Sequence, residues 1–366
     1  MILPLIALLA QAPATGQATP PANASTPTPP TSRWPTKEAD FTIRNFAFRS
    51  GEKLPALKIH YTTLGSPHRD KAGRIDNAVM VLHGTGGTGK QFLSPQFADR
   101  LYGPGQPLDI RRYFIILPDN IGHGASSKPS DGLGPAFPRY TYDDMVAAQH
   151  ALLTDGLGIA KMRLVMGTSM GCMHAFVWGE TYPDFARALM PLACEPVEIA
   201  GLNRMWRQLA IDAIRADPAW AGGRYTTQPV QGLRAAASLL FVAGGAPLWL
   251  QAQFPTRDAA EGYARQRVAA SIAGLDANDL IRALDSSRTY DPWPRLEAIT
   301  APVAWVNSAD DFINPRGLDY PARAVKRMHD ATFRMIPETA DTRGHGTHTW
   351  AVNWTDDLTK LLARTQ

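Results

Sequence analysis

The sequence predicts an α/β fold built on a mostly parallel, doubly wound sheet. Three observations carry that expectation. Short apolar runs recur along the chain, each ending in Gly, Pro, Asp or Ser. They lack the polar/apolar alternation of a half-exposed strand, which fits strands buried on both faces. Helix-compatible segments separate them, and alternating strand and helix is the signature of a parallel sheet with helices on both sides. Finally, residues 197–295 break the alternation with consecutive helical patterns before strands resume at Ala301.

Taken in order, ILPLIALLA at 2–10 is an apolar run too short to span a bilayer. It has the length of a signal-peptide core, so residues 1–18 are expected to be an export signal, although a basic n-region is missing. Residues 19–36 are rich in Pro, Thr, Ser and Ala and read as a flexible linker that buries little. Residues 37–196 form the first part of the core. FTIRNFAF and LKIHYTTLG read as two strands joined by a GEK turn. AVMVLHG, YFIILPD, RLVMGTS and ALMPLACEP follow as buried strands. Residues 197–295 read as a helical insertion over the carboxyl ends of the strands. Residues 296–366 complete the core with APVAWVNSAD and ATFRMIPE.

The composition excludes several functions. Hydrophobic residues make up 45% of the 366 and charged residues 19%, enough to bury a large core. A formal charge of +4 with no Lys/Arg cluster argues against a nucleic-acid partner. Once the signal is removed, no insertion into a membrane is expected. No metal is expected either: His345 and His348 lack a third ligand on a recognisable element. The Gly-rich stretch VLHGTGGTG lacks phosphate-loop spacing, and no cofactor is implied. The two cysteines, Cys172 and Cys194, lie in apolar context and read first as buried thiols, with a single bridge as the alternative.

The chemistry centres on Gly167-Thr168-Ser169-Met170-Gly171, which follows a strand and precedes a helical segment. Glycines there permit a tight strand-to-helix turn that lifts the serine oxygen above the sheet. A serine hydroxyl needs a base, and the base an orienting acid, in the chain order Ser, Asp, His. Asp310 and Asp311 end one later strand and His345 and His348 lie in a Gly-rich loop beyond the next. Asp311 is favoured because Pro315 suits the turn that holds an acid, and His345 because glycines flank it. Asp310 and His348 stay open as alternatives, His348 as a packing or pocket residue. The oxyanion donors are expected from the amides of Met170 and Thr85. His123 reads as a turn residue satisfied by backbone groups. Met205, Trp206, Phe241 and Trp249 suggest apolar walls, with packing inside the insertion the commoner role.

With these residues in place, the chain resembles α/β-hydrolase fold proteins of the homoserine O-acetyltransferase-like group. The likeness runs through RRYFIILPDNIGHGASSKP, FPRYTYDDMVAAQHALL, LGIAKMRLVMGTSMGCMHAFVWGETYPD and RQLAIDAIRADPAWAGGRY. It implies an α/β-hydrolase fold with a helical lid, the Ser169-Asp311-His345 triad, and homodimerisation through the lid. Arg207 falls where the group places an arginine for the substrate carboxylate. Gly346 stands where the acetyltransferases carry an acidic residue after the catalytic histidine. DNIGHGASSKP resembles ester hydrolases more than transferases. Acetyl-CoA is confined to the cytoplasm, so export would deprive a transferase of its donor. The expected function is a periplasmic or secreted serine hydrolase, esterase-type, cleaving an ester of a small organic substrate. The alternative is an O-acyltransferase that moves an acyl group to an alcohol.

Overall fold

A computed structural model describes residues 33–365. The export-signal expectation lies outside the described residues, as does nearly all of the expected linker. Eight strands form one sheet in the order β1-β2-β4-β3-β5-β6-β7-β8. β1 (Lys37–Ala47) and β2 (Lys53–Leu64) make an antiparallel pair at one edge. β2 also runs antiparallel to β4 (Phe114–Pro118). From β4 onward the neighbours are parallel: β3 (Ala78–Leu82), β5 (Leu164–Thr168), β6 (Leu189–Leu192), β7 (Val303–Ser308) and β8 (Ala331–Ile336). These match the apolar runs, so the parallel-sheet expectation holds.

The central parallel strands β3, β4, β5 and β6 are buried along their whole length because both faces are covered. On β3, Ala78, Met80 and Leu82 belong to one core with Met145 and Phe176. Val79 and Val81, pointing the other way, join Phe97, Trp354 and Leu358. The first core is closed by α2 (Tyr142–Ala151) and α3 (Met170–Thr181), the second by α1 (Pro95–Leu101) and α10 (Thr355–Arg364).

Between β6 and β7 the chain runs through five helices. They are α4 (Gly201–Ala216), α5 (Val230–Ala243), α6 (Pro247–Gln253), α7 (Arg257–Ile272) and α8 (Ala277–Asp285). They carry their own core, in which Ile211, Ile214, Leu233 and Leu284 are buried. A short helix α9 (Tyr320–Ala324) separates β7 from β8.

The topology decides where a ligand can sit. After β3 the chain steps outward to β4, then returns across β3 to form β5 on its other side. Loops after β3 and β5 therefore diverge to opposite sides, leaving a crevice at the carboxyl ends of these strands.

Cys172 and Cys194 form a disulfide that joins the first turn of α3 to the segment after β6. This replaces the first reading of two separate thiols. Their Cα atoms lie 5.9 Å apart because β5 and β6 are neighbours and each cysteine follows its strand by a few residues.

Candidate active site

Ser169 occupies the turn between β5 and α3 with φ 55° and ψ −111°, a conformation a side chain adopts only under constraint. The flanking glycines make that turn possible. A Cβ on Gly167 would lie 2.1 Å from the Gly171 carbonyl oxygen, and one on Gly171 would lie 2.0 Å from the Leu82 carbonyl oxygen. The loop after β3 presses on the serine as well, since a Cβ on Gly84 would stand 3.2 Å from the Ser169 Cβ.

Three side chains from three strand ends meet here. Ser169 Oγ lies 2.8 Å from His345 Nε2, and His345 Nδ1 lies 2.8 Å from Asp311 Oδ2. The chain order and strand-end positions therefore converge on one point. Asp311 is buried and also accepts the Asn314 side-chain N–H at 2.8 Å and the Ile313 backbone N–H at 2.8 Å. Burial works to raise its pKa. The His345 charge and these donated hydrogen bonds outweigh it, so the carboxyl stays below its ordinary range. An ionised Asp311 fixes the His345 proton on Nδ1 and leaves Nε2 free to accept from Ser169.

Asp310 takes a different post. It accepts the Gly344 backbone N–H at 2.8 Å and the Ser308 hydroxyl, tying β7 to the loop that carries His345. His348 lines the pocket beside His345, with ring centroids 5.0 Å apart. Burial, then the neighbouring His345 charge, pushes its pKa down to about 3, so it is neutral at working pH. Its Nδ1 has no hydrogen-bond partner among the described residues.

Of the two residues expected to donate to an oxyanion, Met170 follows Ser169 directly and Thr85 lines its cavity. Met170 is the first residue of α3, so its N–H is one of the donors no helical carbonyl can reach. Thr85 lines the same cavity as Ser169, on the loop after β3.

That cavity measures about 350 Å³ and is roofed by the insertion through Trp206, Arg207, Leu240 and Ala243. Of the four residues expected to build apolar walls, Trp206 alone lines it. Phe241 and Trp249 border a neighbouring crevice, and Met205 is exposed on α4. Helical periodicity says that α4 has an apolar face but not which of its residues the strands below will meet.

Arg207 is almost fully buried, at 2% exposure, and stacks on Trp206 with its guanidinium carbon 4.7 Å from the ring centre. Its Nε donates to Asn203 at 3.0 Å; among the described residues it pairs with no carboxylate, and Nη1 has no hydrogen-bond partner. The buried Tyr142 hydroxyl faces the Arg207 guanidinium and the Thr85 hydroxyl, short of hydrogen-bonding geometry among the described residues. Among the described residues no cluster of three or more His, Cys, Asp or Glu is arranged to hold a metal.

Two features escaped the sequence reading. Glu195, just beyond the disulfide, is buried, and its carboxylate accepts the Asn307 side-chain N–H at 3.0 Å. Burial and the Asp311 charge raise its pKa to about 8. His123 meets more than its own turn: one ring nitrogen lies 2.9 Å from the Ile121 carbonyl oxygen and the other 2.9 Å from that of Thr85. Neither contact leaves a pattern in local sequence.

The profile of the alpha/beta hydrolase fold family matches residues 77–342, from β3 through the His345 loop's approach. The chain belongs to the α/β-hydrolase fold family. Within it, this α/β-hydrolase is 31% identical to a "Probable acyltransferase" of Methanothermobacter thermautotrophicus over 280 residues, covering 76% of this chain and 84% of the relative. It is 32% identical over 300 residues to a homoserine O-acetyltransferase of Chlorobaculum parvum, covering 74% and 80%. The crystal structure of esterase E22 superposes with a TM-score of 0.78 at 19% identity, covering 89% of this chain and all of that one. The likeness to the homoserine O-acetyltransferase group is therefore real at the level of family, and esterases share the fold.

Proposed function

We propose that this α/β-hydrolase is an esterase-type serine hydrolase that cleaves an ester of a small organic substrate through an acyl-enzyme. The observation that carries the reading is the unbroken hydrogen-bonded line Asp311–His345–Ser169 at the floor of the cavity. His345 Nε2 takes the proton of Ser169 as Oγ attacks the ester carbonyl. Asp311 stabilises the imidazolium so formed. The amides of Met170 and Thr85 receive the developing oxyanion. His345 then protonates the departing alcohol. Water, giving its proton to His345 in turn, attacks the acyl carbon and frees the acid.

Arg207 supplies the substrate class. A buried guanidinium without a carboxylate is costly unless a ligand's anion completes it, so the ester carries a negatively charged group. Replacing Arg207 by Leu is expected to cost about 10- to 100-fold in kcat/KM for an ester bearing a free carboxylate, the worth of a charged hydrogen bond. A neutral ester of the same shape should be nearly unaffected. Equal losses on both would remove Arg207 from substrate recognition.

Acyl transfer to an alcohol is the second reading, and the transferase names of the sequence relatives favour it. The two reactions share the acyl-enzyme and part only at the acceptor. Gly346, where the resemblance to the acetyltransferase group implies an acidic residue, favours water here. Release of p-nitrophenol from p-nitrophenyl acetate, with and without homoserine and with Ser169→Ala beside it, separates them. Ser169-dependent release that yields only free acetate establishes hydrolysis; acceleration by homoserine with its acetyl ester as product establishes transfer. Full activity in Ser169→Ala would overturn both. We infer as well that the enzyme works outside the cytoplasm. The apolar run at residues 2–10 supports this, and the Cys172–Cys194 bridge suits an oxidising compartment.

A further inference from the structure

The loop after β3 must present the Thr85 amide to the oxyanion, and two imidazoles grip that loop from behind. His83 is the first. Its Nε2 accepts the Asn120 backbone N–H at 3.0 Å, which only an unprotonated nitrogen can do. The His83 proton therefore sits on Nδ1, 2.8 Å from the Gly84 carbonyl oxygen, and donates to it. His123 is the second and comes from the loop after β4. Its Nε2 faces the Thr85 carbonyl oxygen at 2.9 Å and its Nδ1 faces the Ile121 carbonyl oxygen at 2.9 Å. The two rings lie together, centroids 5.0 Å apart, and burial holds both below the ordinary histidine value, hence neutral.

The direction of the amides follows from peptide geometry. No described peptide bond is cis. In a trans peptide each carbonyl points opposite to the N–H of the next residue. Holding the Gly84 oxygen toward His83 turns the Thr85 N–H away from the ring pair. Holding the Thr85 oxygen toward His123 turns the Gly86 N–H away too. Thr85 and Gly86 both border the cavity that contains Ser169.

A neutral imidazole has a single N–H, so His123 can serve Ile121 or Thr85 but not both. Serving Ile121 would stiffen only its own turn. Serving Thr85 joins two loops at the reacting centre. We propose that His123 is a positioning residue, whose Nε2–H is given to the Thr85 carbonyl and holds the Thr85 and Gly86 amides toward Ser169. This inference rests on the serine-hydrolase reading above.

Two substitutions separate the roles. His123→Asn reaches the Nδ1 position, keeping the Ile121 contact and losing Thr85. His123→Gln reaches the Nε2 position and does the reverse. Losing an oxyanion donor outright costs about 10²- to 10³-fold in kcat. Loosening its support in His123→Asn is expected to lower kcat on p-nitrophenyl acetate by about 10- to 100-fold, with KM within about threefold. His123→Gln should recover to within about fivefold of the native rate. Native kcat in His123→Asn, or equal losses in both variants, would overturn the proposal. The unaltered protein offers a second check through its imidazole ¹⁵N spectrum. An Nε2–H tautomer at His123 is expected, and an Nδ1–H tautomer overturns the assignment even if neither variant folds. Ser169→Ala belongs in the same series. If it keeps native activity, the hydrolase reading fails and this inference with it; if it is inactive while His123→Asn is unimpaired, only the inference fails.

Discussion

Reduction of the Cys172–Cys194 bridge is expected to weaken the fold and leave the chemistry nearly untouched. The bridge spans 22 positions of sequence. In the chain-entropy picture, a cross-link of that length removes about 11 cal/mol/K from the unfolded ensemble, or about 3 kcal/mol at 25 °C. A folded region of this size has an unfolding entropy of roughly 700 cal/mol/K, so Tm should fall by about 5 °C. Catalytic geometry has independent support. Gly167 and Thr168 of β5 pair with Pro191 and Leu192 of β6, and the Ser169 backbone N–H donates to the Leu192 carbonyl at 2.8 Å. Hydrolysis at 25 °C should therefore stay within about twofold, since no hydrogen bond of the reacting groups is lost. The assay compares thermal unfolding and p-nitrophenyl acetate turnover of bridged and fully reduced protein, with free thiols counted under denaturation. Unchanged Tm with both thiols free would refute the entropic argument. Activity that falls with the bridge at 25 °C would refute its separation from the site.

Two further expectations concern carboxyl groups. Asp311→Asn can present an amide N–H₂ to His345 Nδ1 and so favour the wrong tautomer; kcat at neutral pH should drop by about 10³- to 10⁴-fold. A loss below tenfold in steady-state kinetics would dismiss Asp311 as the orienting acid. Glu195 has a folded pKa of about 8 against an ordinary 4.5. The folded state holds its proton more tightly, so this stabilisation is complete below about pH 4.5 and fades as pH rises through about 8. Between pH 5 and 9 the Tm of the native protein should decline relative to Glu195→Gln, and parallel Tm–pH curves would disprove the coupling.

Much of the architecture was readable because burial on both sheet faces leaves an unmistakable mark. Runs such as AVMVL and FIILP have no solvent side to record, and both became central strands. The meeting of Ser169, Asp311 and His345 was also readable, since each follows a strand and parallel strands end on one side of the sheet. Strand order was not read, because neighbouring parallel strands share no local signal. Helix α6 escaped for another reason: PLWLQAQ is seven residues long, starts at Pro247 and buries no residue fully. Asp310 and His123 act through backbone groups tens of residues away, and a carbonyl or amide looks the same in every residue. Arg207 was placed by resemblance alone; that it is buried against Trp206 and Asn203 with no carboxylate beside it among the described residues is a fact of three dimensions.

The five-helix insertion leaves the sheet from β6 and returns at β7, and these two strands are hydrogen-bonded neighbours. Its entry and exit are thus held close by the sheet itself, whatever the length of chain between them. Loop-closure entropy grows only slowly with length, so helices can be added, lost or re-angled there at small cost to the fold. Ser169 is already set before the insertion begins, and Asp311 and His345 follow after it ends. Evolution can consequently remodel the ceiling of the chamber, Arg207 included, as an exchangeable part while the reacting floor is inherited intact.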